Sequence, residues 1–143
     1  MTLPFDLDGV RARPTMYLTC ADFYSVVAYI QGLNAATHDS LLLGFHEWLV
    51  VKRDGGTNLA WSEIILDLAF PGVTDARSQL DDADKQSWAI ECLFRNLEEF
   101  WLMRSTRNGA LAIYLRFRDW LKRQEWYSPT NPDWLDDEGR KGE

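Results

Sequence analysis

Residues 82–104 carry the longest periodic pattern in the chain. Ile90, Leu93, Phe94, Leu97, Phe100 and Trp101 recur at intervals of three and four, while Glu91, Arg95, Glu98 and Glu99 fall between them. That spacing places the apolar side chains on one stripe of a 3.6-residue helix and the charges on the other. Acids at Asp81, Asp82 and Asp84 suit the start of this helix, where the positive end of the dipole favours negative charge. A long amphipathic helix cannot cover its own stripe, so the rest of the chain must supply apolar faces for it.

Shorter segments supply them. Asp22 or Thr19 can cap a helix in which Phe23, Val26, Val27, Ile30 and Leu33 share a face up to about Thr37. Phe45, Trp48, Leu49 and Lys52 recur at helical spacing over 42–53 and stop at Asp54-Gly55-Gly56, with a strand over 48–52 as the rival reading. Leu59, Trp61, Ile64, Ile65, Leu68 and Ala69 predict a helix capped by Thr57 or Asn58 and ended by Pro71-Gly72, which leaves Glu63 and Asp67 on its outer side. A loop follows over 73–80. After a break at Asn108-Gly109, a last helix over 110–124 gathers Ile113, Tyr114, Phe117, Trp120 and Leu121. Pro4, Gly9 and Pro14 predict turns in the first segment, with a brief helical turn over 6–11.

The expected architecture is therefore all-α: one helical domain of about five helices over residues 1–127, then a flexible acidic C-terminal tail over 128–143 rich in Pro, Asn, Asp and Gly. At 143 residues, one core is enough. Cys20 and Cys92 belong to no CxxC pair and read as reduced thiols, buried as small hydrophobes. No run approaches the ~18 apolar residues of a membrane span, and the opening residues lack a signal-like apolar stretch, so the expected location is cytoplasmic.

The net charge of −7 opposes nucleic acid and anionic membrane and favours a basic partner. It is unevenly spread: residues 54–99 hold 3 basic and 10 acidic groups, while 100–125 hold 6 and 2. One consequence is internal pairing, with Arg116, Lys122 or Arg123 facing Glu91, Glu98 or Glu99. The other is an acidic surface of Glu63, Asp67, Asp75, Asp81, Asp82 and Asp84 free to dock a partner.

Sites of chemistry are not apparent. His38, placed in a helix-ending turn, and His46, on a helix surface, stand outside any HExxH or CxxC context, and no GxSxG, GxGxxG or phosphate loop occurs. The expectation is no enzyme, no catalytic residue, no metal and no cofactor. Of the 7 tryptophans, Trp48, Trp61, Trp101 and Trp120 fall on apolar faces and read as core. Trp88 sits just off its stripe, and Trp134-Leu135 lies in the tail as either a docking motif or a segment folded back on the core.

The stretch VRARPTMYLT, residues 10–19, resembles the opening of type II topoisomerase and related GHKL ATPase domains. The helix after it, FYSVVAYIQGLNAATHD, has Gln31 and Asn34 but no glutamate, and no DxGxG box follows, so the likeness stays local, with Met16 and Tyr17 expected to enter the core. A broader resemblance lies in the order RPTMYL, GFHEWLVVKRDGGTNLAW, LAFPG, similar to small bacterial proteins of unassigned function. The type of the chain, short, acidic, Trp-rich and catalytically blank, is similar to immunity proteins that neutralise a cognate bacterial toxin. This implies inhibition by occlusion, with Glu63, Asp67, Asp81, Asp82 and Asp84 providing charge and Trp61 or Trp88 an anchor against a basic toxin domain. The alternative is a self-associating structural or regulatory adaptor with an exposed aromatic patch and no catalytic activity.

Overall fold

The computed structural model describes residues 3–127. Its elements are α-helices α1 (Leu7–Ala12), α2 (Phe23–Ala36), α3 (Phe45–Arg53), α4 (Trp61–Ala69), α5 (Ala83–Arg104) and α6 (Gly109–Lys122), with 3-10 turns at Pro4–Asp6, Pro14–Met16 and Ala76–Gln79. The architecture is all-α; among the described residues there is no strand, and 48–52, the rival strand, is helical. The predicted tail and its Trp134-Leu135 pair lie outside the described residues.

Helix α5 is the hub, packing against α2, α3, α4 and α6. Its stripe is the one the spacing predicts: Leu93, Phe94, Leu97 and Phe100 are all buried, in a single core shared with residues from every other helix. Helix α4 runs antiparallel to it. Trp88 donates Nε1–H to the Ala69 carbonyl at 2.8 Å and Cys92 Sγ faces the Ile65 carbonyl at 3.9 Å, so rising numbers on α5 meet falling numbers on α4.

Local chemistry sets the boundaries. Asp22 and Asp82 are the N-caps of α2 and α5, accepting from Ser25 N and Lys85 N at 2.8 Å each. The expected caps Thr57 and Asn58 are not used, since α4 begins after Ala60 with no side-chain cap. That loop is held instead by His46, whose Nε2 donates to the Leu59 carbonyl at 3.0 Å. His46 is therefore half-buried rather than on the helix surface, while His38 does occupy a turn after α2, at φ 53°. Helix α3 starts at Phe45, three residues later than the spacing suggested, because Gly44 takes φ +88°, a conformation costly for residues with a Cβ.

The first segment folds as its Pro and Gly residues predict, two 3-10 turns around a short helix. It also contributes to the core, with Leu3, Leu7 and Val10 at most 2% exposed. It is tied down by Arg11, which donates to Glu91 at 2.6 Å and also pairs with Glu98. Met16, expected in the core, is 69% exposed; Tyr17 packs at the core edge, its hydroxyl bonded to Asp6. Cys92 is buried and Cys20 exposed, both free. Burial pushes the Cys92 thiol up, away from a reactive thiolate.

The charge pairing also differs from the predicted one. Glu91 pairs with Arg11 and Arg95, Glu98 with Arg11, and Glu99 with Lys52, so the partners come from α1, α3 and α5 itself rather than from α6. The Arg11 hydrogen bond holds the Glu91 carboxyl below its ordinary value of 4.5. A carboxyl depressed in the folded state contributes stability that is present above the ordinary value and lost as pH falls through the folded one. Wild type should therefore lose stability on acidification below about pH 4.5, and Glu91→Gln should lose less, the two converging in acid. With Glu91 38% exposed, the wild-type advantage near neutrality is under about 1 kcal/mol. Urea midpoints measured across this range check it; equal acid slopes in both proteins would remove the pair from the acid response.

Candidate functional site

The five acids and two tryptophans singled out above divide into two places. Glu63 and Asp67, on successive turns of α4, line a groove with Arg53, Leu59, Asp75 and Arg77. Glu63 and Asp67 each have a cation of their own. Glu63 accepts from Arg77 at 2.5 Å and from the Tyr24 hydroxyl at 3.0 Å, and Asp67 pairs with Arg53 at 2.9 Å. Arg77 also lies over the Tyr24 ring, 5.3 Å from its centroid. Burial and the Glu63 carboxylate together push the Tyr24 phenol up, so it stays protonated and donating. These two acids hold α2, α3, α4 and the 76–79 turn together and bring no free charge to a partner. Trp61 is likewise occupied: half-buried, it packs on Phe45 at 5.6 Å between ring centroids.

Asp81, Asp82 and Asp84 stand together at the start of α5, all exposed. Asp82 is the cap, and Lys85 faces Asp81 at 3.3 Å and Asp82 at 3.8 Å. One lysine answers two of the three carboxylates, and Asp84 forms no ion pair with any described residue. Asp22, which sequence reasoning named only as a cap, belongs to the same end of the molecule. Gln86 places it there, accepting from Phe23 N at 2.8 Å and donating to the Leu80 carbonyl at 3.1 Å, which seats the N-terminus of α2 beside that of α5. Its signal in the sequence was the cap position; nothing in the spacing linked it to residues 81–84.

Trp88 follows Asp84 by four residues, one turn along the same face of α5. Its ring is 43% exposed but not free to turn. The indole N–H satisfies the Ala69 carbonyl, one of the acceptors left open at the end of α4, and the Arg95 guanidinium lies over the ring at 5.6 Å. The result is a large apolar surface of fixed orientation beside a net negative helix end. Such a site can bind by contact and charge. No group of His, Cys, Asp and Glu among the described residues is arranged to hold a metal ion, and no helix among them is long and apolar enough to cross a membrane. Comparison with protein-family models, with curated proteins and with solved structures finds no match.

Proposed function

We propose that this chain is a cytoplasmic, non-catalytic protein of immunity type that inhibits a basic bacterial toxin domain by occluding its active site. The observation that carries the reading is Trp88, exposed yet pinned at both its N–H and its face, next to exposed Asp81, Asp82 and Asp84. Association between proteins costs the freedom of side chains at the interface, so an aromatic already held in place loses little on binding. Exposed carboxylates around it raise the encounter rate with a cationic surface. Glu63, Asp67 and Trp61 contribute by shaping the scaffold behind this face.

The test is co-purification with the product of the neighbouring reading frame, followed by stopped-flow association. The double reversal Asp81→Lys/Asp84→Lys keeps the Asp82 cap and should slow association about tenfold at low salt. Trp88→Ala should cost about 1–2 kcal/mol, mainly as faster dissociation. Association that ignores the charge reversal, or an affinity that ignores Trp88→Ala, would move the interface elsewhere.

The alternative, a self-associating adaptor, is supported by a different face. Leu111, Tyr114 and Leu115 on α6 are 57%, 38% and 39% exposed and form one helical ridge. Sedimentation separates the two: a homo-oligomer insensitive to salt and dispersed by Leu115→Asp favours the adaptor, and a monomer favours the partner-seeking protein.

A further inference from the structure

A second concave site lies between α3, α5 and α6 and shares no residue with the α5 face. It has a volume of about 300 Å³ and is lined by Trp48, Val51, Lys52, Glu99, Ile113 and Arg116. Three of these are apolar wall. The polar residues differ in how far they are already committed. Lys52 donates to Asn96 Oδ1 at 2.6 Å, pairs with Glu99 at 2.8 Å and sits 5.0 Å from the Trp48 ring centroid. Asn96 is itself buried and fixed by donating to the Cys92 carbonyl at 2.8 Å. Lys52 and Glu99 therefore neutralise each other in a geometry set from beneath.

Arg116 is not so matched. Its guanidinium approaches the Met103 sulfur at 3.2 Å, a weak acceptor, and forms no ion pair with any described residue. This holds in a chain with 22 acids against 15 bases. With Lys52 and Glu99 cancelling, the cleft carries one net positive charge, on a planar fork whose geometry suits a carboxylate. An apolar wall with a single oriented polar group is the usual make-up of a small-molecule site.

We propose that this cleft binds a small monoanionic carboxylate carried on a flat apolar body, the carboxylate on Arg116 and the body along Trp48, Val51 and Ile113. Dianions are disfavoured by Glu99, and the volume of about 300 Å³ is at the lower end of the range for small-molecule sites. The probe is phenylacetate, titrated into the full chain while the Trp48 indole N–H is followed by NMR, with neutral phenylacetamide as the comparison. A saturable shift is expected for the acid, with the amide about tenfold weaker or more. Arg116→Gln should weaken phenylacetate by a similar factor, and Arg116→Lys should retain more of the affinity. The acid–amide comparison uses wild type, so it stands whatever the variants do to folding. Equal binding of acid and amide, no saturable shift at Trp48, or unchanged affinity in Arg116→Gln would overturn the assignment.

Discussion

Phe45→Ala should destabilise the protein by about 3–5 kcal/mol, a large part of the ~5–15 kcal/mol that holds a domain folded. Phe45 is 0% exposed and opens α3 where three helices meet. Its ring centroid lies 4.9 Å from that of Phe100 on α5, 5.6 Å from Trp61 on α4 and 6.3 Å from Trp48 on its own helix. Truncation removes the transfer energy of a buried ring and leaves a cavity whose walls are other rings, held by separate helices and unable to close on it. Leu102→Ala, at a position 60% exposed, should change stability by less than about 0.5 kcal/mol. Urea unfolding of the two variants makes the comparison; similar midpoints would mean that the aromatic centre is not where the stability resides.

Gly109→Ala is expected to destabilise by about 2–3 kcal/mol, against the sign that helix propensity alone assigns. Alanine is favoured over glycine by up to ~1 kcal/mol within a helix, and Gly109 is the first residue of α6. A Cβ there would lie 2.2 Å from the Met103 carbonyl oxygen and 2.6 Å from that of Arg104. Both are backbone atoms of the last turn of α5, so no side-chain rotation relieves the clash. The turn is tight because Asn108 takes φ 58° and Gly109 N donates to the Thr106 carbonyl at 2.9 Å. Either α5 loses its last turn or α6 shifts, and a shift of α6 would also widen the cleft against α3. Thermal unfolding decides it: a midpoint at or above wild type would show that the turn can open at little cost.

The two positions differ in how visible they were. Phe45 lay on an apolar stripe, so its place in a core followed from periodicity. Gly109 was legible only as a break between helices, because the carbonyls that exclude a side chain there are a matter of how two helices meet. The candidate site shows the same division. Asp81, Asp82 and Asp84 were readable as the acidic start of α5, and their proximity to Trp88 follows from helical spacing. That Glu63 and Asp67 would be neutralised by Arg77 and Arg53 did not follow. Nor did Asp22 beside α5, whereas the exposure of Trp88 rather than Trp61 is in line with its place just off the α5 stripe.

Five of the six helices, α2 to α6, are written into the apolar spacing, because a 3.6-residue repeat is a property of consecutive residues and needs no partner to be read. Pairs four apart, such as Lys85 with Asp81 and Arg95 with Glu91, were within reach of the same rule. The Arg11 bond to Glu98 spans 87 positions and the Lys52 bond to Glu99 spans 47. Those depend on the rotation and offset at which each helix docks, which packing of the whole core selects. The tertiary structure therefore decided which of the excess carboxylates are consumed within the fold and which remain outside it, and it left Arg116 as a cation that no carboxylate among the described residues answers.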